Sequence, residues 1–384
     1  MIYHRLGEIP RKRHTQFRRP DGQLYHEHLM GSEGFSGIAS LLYHLRPPTS
    51  IVMTKLLKRL EWHADADPLL RMRHFQLAQV PPSSGSTLSR TPILYNRDVA
   101  LSIVRPADPD DYFYRNAEGD ELIFVSEGSG VLESQLGNLA FRSGDYLVVP
   151  RGIFYRLVPD VGETRLLVIE SAGQIRPPAR YVNQCGQFME HSPYCERDIR
   201  RPDSLPVHDE VGEFKLIVKH SNALTEVVLD HHPCDVVGWD GYYYPWALSI
   251  HDFEPIVGSL HQPPPVHQTF AGDNFVVCSF VPRLFDFHPE AVPVPYNHSN
   301  VMSDEVLFYA NSEFMSRKGI EYASLTLHPE GLTHGPQPGR VEAALGRQRT
   351  DELAVMLDAF RPLRVARQAL EYEDKQYSRS WLGQ

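Results

Sequence analysis

The chain has 384 residues, 42% hydrophobic and 22% charged, which suits a globular protein of two or three structural units. Its formal net charge of −10 argues against binding a nucleic-acid backbone, which needs a basic face. No signal-peptide-like apolar stretch opens the sequence and no apolar run reaches membrane-spanning length, so a cytoplasmic protein without membrane contact is expected.

Near the start, Arg11, Lys12, Arg13, Arg18 and Arg19 form a local basic cluster, read as a solvated arm or subunit-contact segment. A homo-oligomer is expected on that ground. Residues 50–62 carry the clearest helical spacing, with Val52, Leu56, Leu57 and Leu60 on one side, and an amphipathic helix is expected there. Strands are expected at 99–105, 121–125, 146–149, 166–170, 214–220, 275–281, 305–310 and 323–327. Residues 175–206, rich in Pro and Arg, read as a crossover between two β units. Short helices are expected near 341–345 and 363–372. The 31 prolines and 26 glycines cut the chain into short segments, as an all-β protein with many turns requires. Cys185, Cys195, Cys234 and Cys278 are too widely spaced for a disulfide framework and read as small hydrophobes in a reducing compartment.

The two halves echo one another. Asp120-Glu121 opens one strand and is followed by Pro150-Arg151-Gly152-Ile153-Phe154-Tyr155. Asp304-Glu305 opens another and is followed by Pro329-Glu330-Gly331-Leu332-Thr333-His334. This resembles the cupin signature, an H-x-H-x(3,4)-E element followed by P-x-G-x-x-H. Two copies imply a mainly β bicupin, two tandem jelly-roll barrels with short helices. The implied units are an arm plus metal-free barrel at 1–175, a crossover at 176–210, and a metal-binding barrel with its extension at 211–384.

In the first copy Arg115, Ala117 and Tyr155 stand where the signature has histidines, so that barrel has lost its metal set. In the second, His298, a carboxylate and His334 survive. Two histidines and a carboxylate on one face suit non-haem Fe(II), with Mn, Ni or Zn in related barrels. Strict alternation along an unbroken strand puts His298, Asn300, Met302 and Asp304 on one face, favouring Asp304. The echo with Asp120-Glu121 favours Glu305, the preferred reading, with Asp304 the alternative. His328, six residues before His334, reads as a hydrogen-bonding neighbour, a substrate contact, or both. His261 precedes Gln262 and the stiff run Pro263-Pro264-Pro265, which suits presenting a side chain to a cavity.

Most of the chain also resembles the homogentisate 1,2-dioxygenases. The likeness rests on Leu24-Tyr25-His26-Glu27-His28-Leu29-Met30-Gly31, Ser40-Leu41-Leu42-Tyr43-His44, Gly119-Asp120-Glu121, Trp239-Asp240-Gly241, Tyr296-Asn297-His298-Ser299-Asn300-Val301-Met302-Ser303 and His334-Gly335-Pro336. The resemblance implies Fe(II) held by His298, Glu305 or Asp304, and His334. It gives His261 a proton-shuttling role and His328 a substrate contact. It implies O2 and a small aromatic substrate, homogentisate, cleaved to maleylacetoacetate in tyrosine and phenylalanine degradation. The chain is shorter than the animal members and has one residue more between the first histidine and the glutamate. It also lacks, within Phe308–Phe314, their tyrosine near the substrate. Gentisate or another hydroquinone acid is the alternative substrate. A non-oxidative bicupin, an isomerase or a binding protein, is the competing class.

Overall fold

In the computed structural model all residues are described except 1, 263, 300, 301, 318, 383 and 384, so Pro263, Asn300 and Val301 of the motifs above lie outside the described residues. The architecture is mainly β. Among the described residues the larger sheets have four, seven, eight and six strands.

The eight-stranded sheet is built around Asp120–Glu127, between Asp145–Val149 and Arg165–Ser171. Leu122, Ile123, Phe124 and Val125 are all fully buried, so this strand is apolar without alternation, as one covered on both faces must be. One face shares a core with Leu132, Leu139, Tyr114 and Leu157 of the seven-stranded sheet. The other receives the six-stranded sheet. There Phe124 meets Phe308 with ring centroids 6.2 Å apart, and the Tyr146 hydroxyl lies 2.8 Å from Ser279 Oγ.

That six-stranded sheet places the candidate site. Its order is Gln268–Gly272, Phe275–Phe280, Ala354–Ala359, Asp304–Tyr309, Ser324–His328 and, from far upstream, Arg73–Gln76. Period-2 alternation divides its faces. Val306, Phe308, Leu327, Val355 and Leu357 join the large core, whereas Leu307, Tyr309, Met356 and Cys278 form a second cluster on the other side. Opposite that second face the pairing among the described residues is sparse: Arg283–Leu284 with Arg349–Thr350, and a bridge between His298 and His334.

All eight expected strands are present, with ends shifted by a few residues at most. The short helix expected near 341–345 is present at Arg340–Ala344, and the one expected over 363–372 is a 3-10 helix at Arg367–Tyr372. The helix expected over 50–62 is absent. Ile51–Arg59 is instead a strand, antiparallel to Ala223–His231, and all nine of its residues are exposed. An amphipathic helix this short is marginal without an apolar surface to cover. The open edge of Ala223–His231 offers backbone hydrogen bonds instead, and Ile51, Val52 and Thr54 suit them.

The strands between 211 and 249, within the expected second unit, pair into sheets of the first half. Val211–His220 runs parallel to Phe113–Asn116, and Trp246–Ser249 runs antiparallel to Asp145–Val149. The basic arm begins as a strand, His4–Gly7 on Val236–Gly241, and Arg13 reaches Asp240 at 3.5 Å. Cys234 and Cys278 are buried and Cys185 is exposed, all as free thiols.

Candidate metal centre and its cavity

Glu305 and Asp304 begin the same strand and face opposite ways. The Asp304 oxygens accept backbone N–H groups from Glu330 (2.7 Å) and Leu363 (2.6 Å), so its carboxylate ties two incoming segments to the strand. Glu305 shares the cavity-side face with Leu307 and Tyr309. His298 and His334 come from separate loops joined by reciprocal backbone bonds, His298 N–H to His334 O at 2.8 Å and the reverse at 2.9 Å. This pairing brings the imidazole centroids to 4.3 Å.

Both rings are oriented by backbone carbonyls. His298 Nδ1 lies 3.1 Å from Tyr296 O and His334 Nδ1 lies 3.3 Å from Leu332 O, which places the proton on Nδ1 and turns the Nε2 lone pair inward. The two Nε2 atoms stand 3.6 and 3.5 Å from Glu305 Oε2. Glu305 Oε1 accepts a 2.7 Å bond from His328 Nδ1, and His328 Nε2 in turn accepts from the Tyr377 hydroxyl at 3.2 Å. Burial alone would raise the Glu305 carboxyl, but the three histidines packed against it, with His328 donating from Nδ1, outweigh burial and hold it well below the carboxylate range. Burial pushes His328 down to about 4, so it is a neutral donor.

His298, Glu305 and His334 offer ligand atoms all within 4.8 Å of one another. His334 Nε2 is buried and has no hydrogen-bond partner among the described residues. An orphaned, inward-facing imidazole nitrogen beside an ionised carboxylate is what a metal ligand looks like without its metal. This donor set of two imidazoles and one carboxylate could hold a divalent ion while leaving other positions open.

A cavity of about 420 Å³ opens beside the triad, lined in part by His298, Glu305, His261, Tyr296 and Phe314. His261 therefore faces the same space as the triad, with Nδ1 3.8 Å from Asp286 Oδ2. His328 is fully buried with both ring nitrogens engaged, an arrangement that suits a hydrogen-bonding neighbour of Glu305. Sequence reasoning overlooked three other lining groups. His267 is held neutral, down at about 3, by burial and by Arg283 and His261. Asp358, the cross-strand partner of Glu305, has an Oδ1 with no hydrogen-bond partner among the described residues and is pushed up to about 7 by burial and by the Glu305 charge. Arg317 is the third. None belongs to a motif, and only the strand register would have exposed Asp358.

Gly335 lets the two histidine loops meet. A Cβ there would stand 2.1 Å from Asn297 Oδ1 and 2.8 Å from Asn297 Cα. Gly335→Ala must therefore push the His334 loop away from the His298 loop. A loss of about tenfold or more in affinity for a divalent metal is expected, as when a ligand's supporting contacts are removed; a competitive chelator titration measures it.

The first half repeats this geometry without its histidines. Glu121 pairs across strands with Val149 and Glu170, as Glu305 does with His328 and Asp358. Asp120 accepts N–H groups from Arg151 (2.8 Å) and Ile175 (2.9 Å), each at the same offset from its strand as the partners of Asp304. Tyr155 donates to Glu121 where His334 faces Glu305. The Arg90 guanidinium fills the remaining space, 2.6 Å from Glu121 Oε1 and 2.7 Å from the Tyr155 hydroxyl.

The family described as homogentisate 1,2-dioxygenase N-terminal matches residues 98–250. A protein of Saccharolobus solfataricus named "putative dioxygenase" is 43% identical over 99% of both chains. The homogentisate 1,2-dioxygenase of Emericella nidulans is 29% identical over 60% of this chain and 53% of its own. Among solved structures, a cupin 2 conserved barrel domain protein from Leptotrichia buccalis aligns over 79% of this chain and all of its own, at 9% identity and a TM-score of 0.35.

Proposed function

We infer that this chain, which belongs to a divergent homogentisate 1,2-dioxygenase-like family of dioxygenases, holds Fe(II) through His298, Glu305 and His334 and opens the ring of a hydroquinone acid with O2. Homogentisate is the proposed substrate and maleylacetoacetate, which keeps both oxygen atoms, the product. The observation that carries this reading is the orphaned Nε2 of His334, set with a second imidazole and an ionised carboxylate beside a cavity of aromatic-acid size. Ferrous iron would supply the redox-active Lewis acid through which an electron-rich phenolate and O2 react.

The chain's own residues do the rest. His261 takes the phenolic proton on Nε2 while Asp286 steadies Nδ1, and Pro264 and Pro265 stiffen the loop that carries the ring. His328 acts through Glu305, fixing the carboxylate so that Oε2 faces the two imidazoles. The first barrel and the strands paired to it serve as scaffold for the C-terminal catalytic barrel.

Anaerobic loading with Fe(II), Mn(II) or Zn(II), followed by an oxygen electrode, tests the reading. Equimolar consumption of O2 and homogentisate by the iron form alone is expected. Absence of oxygen consumption by the iron form as well as by the Zn and Mn forms would point to an isomerase or binding protein, and faster turnover of gentisate would reassign the substrate. His261→Gln should retain iron but slow turnover by about 10² to 10⁴, the usual contribution of a general base. Unchanged turnover at neutral pH would remove His261 from the mechanism.

A further inference from the structure

We propose that Arg317 recognises the carboxylate of the substrate, making the cavity selective for aromatic acids over neutral phenols. This rests on the hydroquinone-acid reading above. Arg317 is only 6% exposed, lines the same cavity as His298 and Glu305, and has no carboxylate within ion-pair distance among the described residues. Its Nε is buried without a hydrogen-bond partner among the described residues. A buried guanidinium is costly to desolvate and is ordinarily matched by an anion.

The other charges sharpen the case. Arg283, also on the cavity wall, is already satisfied by Glu352 at 2.8 Å. With a divalent ion held by two neutral imidazoles and one carboxylate, the triad carries one excess positive charge and Arg317 adds another, while Asp286 lies against His261 and burial favours the neutral form of Asp358. An aromatic acid bound as its carboxylate and phenolate would neutralise both. The planar guanidinium suits a carboxylate, and the Trp381 ring 5.6 Å from its centre holds the plane from one side.

A purely structural role is the competitor, since Arg317 Nη1 also donates to Gly335 O at 2.7 Å, next to His334. The two differ in what they predict for a neutral ligand. The test is calorimetric titration of full-length protein, Fe(II)-loaded under argon and metal-free, with 2,5-dihydroxyphenylacetate and with its carboxamide. Metal content is measured on every sample. Wild type should prefer the acid in both forms. Arg317→Met should weaken acid binding by about 10- to 100-fold, the worth of a charged hydrogen bond, and leave the amide unchanged. Arg317→Lys should recover part of the loss. Equal binding of acid and amide by wild type would overturn the proposal even if the variants failed to fold, as would equal losses for both ligands in Arg317→Met. Failure of wild type to take up iron or consume oxygen would strike the dioxygenase reading instead, and acid preference in metal-free protein would still support Arg317.

Discussion

Glu305→Gln is expected to abolish the proposed iron binding while leaving the protein folded, and Asp304→Asn to keep iron binding while lowering stability. Gln keeps the volume of Glu305 but removes the carboxylate that faces the two Nε2 atoms, which stand 3.6 and 3.5 Å from it. Metal content after anaerobic reconstitution should fall from stoichiometric to near zero. The fold should hold, because the apolar clusters on both faces of the six-stranded sheet involve no metal ligand. Asp304 works on the backbone. Its two oxygens accept the N–H groups of Glu330 and Leu363, and Asn supplies one neutral oxygen in their place. A loss of about 1–3 kcal/mol is expected, the usual result of leaving a buried donor unsatisfied. Mass-spectrometric metal analysis and denaturant unfolding on both variants give the ranking. Iron lost from Asp304→Asn and kept by Glu305→Gln would reassign the carboxylate.

The reason this pair was hard to separate in sequence is physical. Alternation from His298 assumes one continuous strand, and a strand would have put Asp304 with His298. The chain instead pins His298 to His334 and enters its strand only at Asp304, so the period starts afresh there. The resemblance between Asp120-Glu121 and Asp304-Glu305 puts Glu305 on the side of the two histidines, where the structure has it, because it compares two strand starts rather than counting through a loop. Strand positions were legible for the same reason: β-branched and aromatic runs between Pro and Gly marks are local signals. Residues 50–62 misled because Val52, Leu56, Leu57 and Leu60 fit a helix as a pattern, while the decision lay with a partner edge some 170 residues away at Ala223–His231. Arg317, His267 and Asp358 were invisible for a related reason. Each reaches the cavity through tertiary packing, and no spacing rule links them to the histidine motif.

The duplicated geometry gives the second large effect, in the barrel without histidines. There Arg90 lies against Glu121 and Tyr155 where the second barrel has room for a metal, so an internal cation does the electrostatic work of an ion. Glu121 is 1% exposed, and burial alone would raise its carboxyl, but Arg90 and hydrogen bonds from Tyr155 and Asn116 keep it low and ionised. Arg90→Met removes the cation and leaves a buried carboxylate uncompensated. A destabilisation of about 3–5 kcal/mol at pH 7 is expected, the usual cost of breaking a buried pair by deleting one partner. The sign of its pH dependence follows from linkage. Because the folded-state pKa of Glu121 is depressed in the parent, the pair's contribution is present above the unfolded pKa and disappears as pH falls through the folded value. The gap between parent and variant should therefore narrow on acidification. Arg90→Met combined with Glu121→Gln should recover much of the loss at pH 7, since no buried charge then remains. Denaturant unfolding of both variants between neutral and acidic pH measures this directly. A gap independent of pH, with no recovery in the double variant, would mean that Arg90 contributes by packing alone.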